Sequence, residues 1–243
     1  IFPEPDTLFD DYAGRGSAAI DQDMTIDKSM FLGSDLKVDA FFTNRYERMN
    51  DAQIKIFKEA YISENKFLLE NQLSGKELVR WKYQRYLKDY LRCVKSVDDC
   101  VGELWNWLDE KNMLDNTIFV YSSDQGFYLG EHGWFDKRFM YDESYRTPLV
   151  MSWPKVISPG SVNSNLVSNL DFAQTFLDAA GIEAHPRMQG ESLLPLLHGD
   201  TNADWRNSHY YHYYEYPGWH MVYRHEGVYD GRFKLMYFYD IDE

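Results

Sequence analysis

Asp124, Gln125 and Gly126 stand directly behind Thr117-Ile118-Phe119-Val120-Tyr121 and two serines, and that run of β-branched and aromatic residues has no polar face. Such a run reads as a strand covered on both sides, and in open sheets ligands collect at the carboxyl ends of strands. There the Asp124 carboxylate and the Gln125 amide oxygen are hard ligands, suited to Ca²⁺ or Mg²⁺ rather than zinc. Taken alone, the tripeptide reads equally as a turn in which Asp124 caps a helix. Its neighbours add to the chemistry: Gly130-Glu131-His132-Gly133, Lys137, Tyr141-Asp142-Glu143-Ser144 and Arg146-Thr147-Pro148 follow before the next apolar run, Leu149-Val150-Met151-Ser152-Trp153. Lys137 and His132, between two strands and beside a cation, are the polar groups of a candidate oxyanion site.

A second concentration lies near the end. His209-Tyr210-Tyr211-His212-Tyr213-Tyr214-Glu215-Tyr216-Pro217-Gly218-Trp219-His220 is followed by Arg224-His225-Glu226-Gly227-Val228. Flat aromatics with interleaved donors suit stacking on a sugar ring and hydrogen bonding to its hydroxyls. Alternate tyrosines on an antiparallel strand also read as core and edge packing.

The elements that must position these residues are partly readable. Residues 1 to about 49 lack any period and read as an extended, irregular surface segment. From Ser74, which with Glu77 forms a capping box, Tyr83, Leu87, Tyr90, Val94, Val97, Val101, Leu104 and Leu108 alternate steps of four and three. That predicts one long amphipathic helix with a core-facing stripe, ending near 111–116. Helix, turn, buried strand, then a second strand fenced by Pro148 and Pro154, indicates an α/β fold. Asp171 with Gln174 predicts the capped start of another helix, which Gly181 ends. Beyond Gly199-Asp200 the composition turns to Tyr, His and Trp, and Asp230-Gly231 predicts a two-residue hairpin in a small antiparallel sheet.

The 243 residues, 44% hydrophobic, can bury a sizeable core. No stretch is apolar enough to span a bilayer, and Ile1-Phe2-Pro3-Glu4 has neither the basic start nor the apolar run of a signal peptide. A net charge of -14 argues against nucleic acid or an anionic membrane as partner, and obliges any anionic substrate to find a local cluster of cations. Cys93 and Cys100, seven apart on the helix, are too distant to bridge and read as two buried thiols.

The run Tyr121-Ser122-Ser123-Asp124-Gln125-Gly126, Leu129-Gly130-Glu131-His132-Gly133, Lys137, Tyr141 to Ser144 and Arg146-Thr147-Pro148-Leu149 resembles the second signature region of the type I sulfatases. Gln189-Gly190-Glu191-Ser192-Leu193-Leu194-Pro195-Leu196-Leu197 is similar to another element of that family. The resemblance implies an alkaline-phosphatase-like sandwich with a mixed, mostly parallel sheet, its amino-terminal half absent, plus a small carboxyl-terminal antiparallel sheet. It implies domains at 1–199, part of the catalytic domain, and 200–243, a truncated β subdomain. Asp124 and Gln125 match two of the family's Ca²⁺ ligands, and Lys137 matches the lysine that contacts the sulfate and neutralises charge on the leaving oxygen. His132 falls beside the substrate or behind the catalytic groups, and it reads also as a structural histidine.

The tail resembles that of carbohydrate sulfatases, in particular bacterial enzymes similar to N-acetylglucosamine-6-sulfatase. This implies a sulfated sugar as partner, a periplasmic or secreted location, and His212, Trp219, His220 and His225 on the substrate side; relatives often carry Tyr where Glu226 stands. The family's nucleophile is a formylglycine made in a C/S-x-P-x-R motif, which this sequence does not contain; in the family it precedes the region aligned with Ile1. The resemblance therefore implies a truncated chain that binds its cation weakly and does not turn over alone. Two alternatives stay open: a phosphatase or phosphodiesterase of the same superfamily, and a non-catalytic carbohydrate-binding module.

Overall fold

The computed structural model describes residues 1–38, 46–200 and 204–241. Its helices are α1 (Ser17–Asp21), α2 (Asp51–Asn71), α3 (Gly75–Glu110), α4 (Asp142–Tyr145), α5 (Asp171–Ala179) and α6 (Leu194–Leu197). Its strands are β1 (Phe119–Ser122), β2 (Tyr128–Leu129), β3 (Phe135–Asp136), β4 (Leu149–Ser152), β5 (His209–Tyr213), β6 (His225–Tyr229) and β7 (Lys234–Tyr237). Two compact units divide the chain. One comprises residues 1–98, 127–138 and 215–223; the other comprises 99–126, 139–214 and 224–243.

In the first unit, the early part of α3 presents Val79, Tyr83 and Leu87 to Leu8, Ile26, Met30 and Leu36. The amino-terminal segment expected on the surface is therefore a layer of the core. Having no period, it is fixed at isolated apolar anchors and through its carbonyls. The buried Lys82 donates from Nζ to the carbonyls of Ile26, Asp27 and Met30 at 3.1, 2.7 and 2.8 Å. Burial pulls the ammonium's pKa down. Arg85, 1% exposed, donates to the Leu36 carbonyl at 3.2 Å and pairs with Glu64 at 2.7 Å. Glu64 lies on α2, an element the sequence reading did not foresee. α2 is mostly exposed and buries Leu68, so it offers little stripe; its signature is the Asn50–Gln53 capping box.

Later along α3 the expected stripe runs out of cover: Val94, Val97 and Leu104 are 40%, 47% and 50% exposed, before Leu108 is buried again. Cys93 and Cys100, read as buried thiols, are exposed and free for the same reason.

In the second unit β1 and β4 pair antiparallel, Phe119 opposite Ser152 and Ser122 opposite Leu149. The α/β class stands. The mostly parallel sheet does not appear among the described residues, where every paired strand is antiparallel. Nor are β1 and β4 covered on both faces: Trp105 packs edge-on against Phe119 at 5.4 Å, whereas Tyr121 and Val150 are 39% and 63% exposed.

Helix α5 ends as expected, with Gly181 at φ +69°. Its start differs. Asp171 does not cap α5; it is fully buried and holds Arg206 through both oxygens at 2.6 and 2.7 Å, while Gln174 bonds the Gly190 carbonyl at 3.0 Å. The expected antiparallel sheet is present in the order β5-β6-β7. Its second hairpin has four loop residues rather than two, since Tyr229 pairs with Lys234 and the Asp230 side chain accepts from the amides of Arg232 and Phe233 at 2.9 and 2.6 Å.

Candidate functional site

Directly after β1 the chain bends, and Ser122 Oγ donates to the Pro148 carbonyl at 2.9 Å, tying this turn to the entry of β4. Asp124 is exposed and accepts one long hydrogen bond from Ser123 Oγ, 3.4 Å. Gln125 is half-buried beside it. These are two oxygen donors, and their chemistry fits a hard cation. Among the described residues no group of three or more His, Cys, Asp or Glu could hold a metal ion.

Gly126 sets the position of that pair. Its amide donates to the Ser144 carbonyl at 2.7 Å, and a Cβ added to it would lie 2.1 Å from the Glu143 carbonyl oxygen, at backbone that cannot swing aside. Gly126→Ala should therefore lower stability by about 1–3 kcal/mol and displace Asp124, a loss readable as a lower denaturant midpoint.

In the first unit Lys137 follows β3. Its side chain is 37% exposed, with Nζ 3.5 Å from Asp136 Oδ1. Asp136 is the residue the sequence reading missed. Its Oδ2 contacts Arg138 Nη1 at 2.6 Å and His220 Nε2 at 3.1 Å. Burial opposes ionisation of this carboxyl, but the hydrogen bonds from His220 and Arg138 and the charges of Arg138 and Lys137 outweigh it, holding its pKa well below the usual range. Because the folded value is depressed, the carboxylate's contribution to stability is complete above the ordinary carboxylate range. It is lost only as the pH falls through the lower value.

Trp219 and His220 form a 3-10 turn with Met221. Trp219 is 74% exposed. His220 is not: Nε2 faces Asp136 and Nδ1 the Asp23 carbonyl oxygen, with the ring edge-on to Phe135 at 5.1 Å. The structure thus brings His220 and Lys137 together through Asp136.

His132 stands in other company. Its ring is flanked by Trp134 and Tyr128 at 5.1 and 6.3 Å, and Nδ1 lies 3.4 Å from Asp10 and 3.2 Å from Arg15. Its amide donates to Thr7 Oγ1 and its carbonyl accepts from the Tyr12 hydroxyl, both at 2.8 Å.

On the sheet of the second unit, His212 pairs with Glu226 and Tyr213 with His225, so the two histidines leave opposite faces. His212 stacks on Tyr214 with ring centroids 3.8 Å apart, and Nε2 lies 3.1 Å from the Tyr239 hydroxyl. The exposed Tyr210 beside it donates to Glu226 at 2.8 Å, so this face is aromatic and hydrogen-bonding. His225, expected on the substrate side, is fully buried among Phe238, Tyr213, Tyr211 and Phe139 at 4.7–5.9 Å.

Comparison with known proteins gives the following. Residues 22–182 match the family described as Sulfatase, and residues 130–243 match the one described as N-sulphoglucosamine sulphohydrolase, C-terminal. An N-acetylglucosamine-6-O-sulfatase from Bacteroides thetaiotaomicron is 50% identical over 258 residues, covering 100% of this chain and 46% of that protein. The human N-acetylglucosamine-6-sulfatase is 39% identical over 114 residues, 46% of this chain and 20% of that protein. A solved structure described as a complex with its substrate D-glucosamine-2-N,6-O-disulfate superposes with a TM-score of 0.96 at 49% identity, covering 100% of this chain and 52% of that one. The chain spans about half the length of the Bacteroides relative and of that solved chain.

Proposed function

Because this chain belongs to the sulfatase family, we propose that it forms the carboxyl-terminal part of a catalytic domain that hydrolyses the 6-O-sulfate ester of N-acetylglucosamine or of a related glucosamine unit. The observation that carries this reading is the match over the whole chain, at 50% identity, to an enzyme named for that activity. The nucleophile, the formylglycine of the C/S-x-P-x-R motif, comes from polypeptide outside these 243 residues.

Within such a domain the residues of this chain divide the work. Asp124 and Gln125 would contribute oxygen ligands to the Ca²⁺ that the family uses, with further ligands from elsewhere, and the ion would supply positive charge against the sulfate oxygens. Lys137 places an ammonium group at the ester oxygen and neutralises the charge that accumulates there as the sulfur–oxygen bond breaks. His132, fixed by Asp10 and Arg15, holds the loop that leads to Lys137. Trp219 and the His212 face supply apolar surface and hydrogen-bond partners for the sugar. The proposed location is the periplasm or the exterior, where sulfated polysaccharides are met.

The test is a hydrolysis screen of the longer polypeptide that includes the C/S-x-P-x-R motif, using sulfated monosaccharides and matched phosphate esters. Release of sulfate from 6-O-sulfated N-acetylglucosamine or glucosamine is expected. Turnover of phosphate esters with none of any sulfate ester would overturn the reading.

A further inference from the structure

Charge is unevenly spread along α3. From Lys76 to Lys95 it carries seven lysines and arginines against Glu77 and Asp89, and from Asp98 to Glu110 five carboxylates and no cation, in a chain whose net charge is -14. Lys88, Arg92 and Lys95 stand four and three residues apart, so they share one side of the helix, and at about 100° per residue that side lies opposite the exposed apolar positions Val94 and Val97. The basic side therefore stays in water whatever packs on the apolar one. There Lys37, Arg85, Lys88 and Arg92 share two carboxylates, Glu64 and Asp89, at 2.7–3.7 Å. Four cations on two carboxylates leave an excess of positive charge, and the Lys88 and Arg92 side chains are 38% and 48% exposed.

A cavity of about 390 Å³ opens beside these cations, between α2 and α3. Phe67 and Trp81 give it an aromatic wall, Ser63, Arg85 and Lys88 are polar groups in its lining, and the carboxylate there, Glu64, is engaged by both cations at 2.7 Å. Arg85 is 1% exposed, and among the described residues its Nε has no hydrogen-bond partner, Asp89 Oδ2 lying 3.7 Å away. The volume is that of a small-ligand site, and an aromatic wall beside an excess of cations suits an anionic sugar, whose ring stacks while its sulfate or carboxylate meets the ammonium and guanidinium groups. We propose that the α2–α3 face is a second carbohydrate site, one that holds an anionic unit of the substrate polymer other than the unit whose ester is cleaved. The proposal rests on the reading of a sulfated saccharide as substrate, and none of its residues takes part in the assigned ester cleavage.

Calorimetric titration of the full-length polypeptide with a tetrasaccharide of N-sulfated glucosamine and uronate, free of 6-O-sulfate, reads this site without turnover. Lys88→Ala/Arg92→Ala should weaken binding by about 5–20-fold, since two charge-assisted contacts at half-exposed positions are lost, and should flatten its dependence on salt. Phe67→Ala, which removes apolar wall and no charge, should weaken binding by about three- to fivefold and leave the salt dependence as it was. Lys55→Ala/Lys66→Ala takes the same charge from exposed positions on α2 and should change the affinity by less than about twofold. Equal weakening by the two double variants would reduce the effect to net charge and overturn the site. Equal affinity for a DNA oligonucleotide of matching charge would overturn its assignment to a sugar.

Hydrolysis then separates failure here from failure of the sulfatase reading. On a polymer of the same repeat that ends in 6-O-sulfated glucosamine, Lys88→Ala/Arg92→Ala should raise KM by about 5–20-fold with kcat unchanged, and on the 6-O-sulfated monosaccharide, which fills one site only, it should alter neither constant. Sulfate release from the polymer with a KM that this variant leaves unmoved would sink the second site while the sulfatase reading stands. Tetrasaccharide binding that this variant abolishes, in a polypeptide that hydrolyses no sulfate ester, would keep the site and sink that reading.

Discussion

Lys137→Ala, made in the polypeptide that carries the nucleophile, should lower kcat on 6-O-sulfated N-acetylglucosamine by about 10²–10³-fold, the usual cost of removing one preorganised group that stabilises developing charge. The sugar oxygen departs as a strongly basic alkoxide unless its charge is met, and nothing in an acidic chain of net charge -14 supplies a diffuse positive field instead. KM should change far less than kcat, because the ammonium's interaction strengthens only as the bond breaks; a variant that raised KM alone would indicate simple binding of the substrate anion. Initial rates over a range of substrate concentration separate the two cases. Activity within threefold of the parent would refute the role.

What could be read from the sequence around this lysine, and what could not, follows from distance along the chain. The turn after β1 was legible because a β-branched run followed by Asp124-Gln125-Gly126 is a local pattern, and strand ends place ligands. The charged run Asp136-Lys137-Arg138 was visible too. That Asp136 holds its neighbours in place was not, because the partner that reveals it, His220, lies 84 residues away. His212 and His225 looked equivalent as tail histidines. Their fates are set by strand parity, and parity depends on a register fixed by pairing with other strands.

The helical elements teach the same lesson from the side of packing. The period of α3 predicted a long helix, and the helix is there from Gly75 to Glu110. A period states which face is apolar but not what lies against it, so Tyr83 is buried while Val97 on the same stripe is half exposed. The amino-terminal layer failed for the opposite reason. Its burial comes from single residues such as Ile26 and Met30 and from the Lys82 and Arg85 donors that satisfy its carbonyls, and none of these makes a periodic signal.

Arg206→Met should destabilise the second unit by about 3–5 kcal/mol, because it strands a buried carboxylate. Asp171 is fully buried; both its oxygens are engaged by Arg206, at 2.6 and 2.7 Å, with the amides of Glu191 and Ser168 completing its acceptor capacity at 2.9 and 2.7 Å. The arginine is itself 16% exposed and packs on Trp205, so its own desolvation is modest while that of the aspartate is complete. Removing the guanidinium therefore leaves a fully buried carboxylate with two amide donors and no countercharge. The double change Arg206→Met/Asp171→Leu exchanges both partners for apolar groups and should recover much of the loss. Thermal unfolding would show the single variant melting about 6–20 °C below the parent, given about 2–4 °C per kcal/mol for a chain of this size. If the single variant melted within 2 °C of the parent, the pair would be a surface contact in solution, and α5 would have to be held to the 189–206 segment by its apolar residues alone.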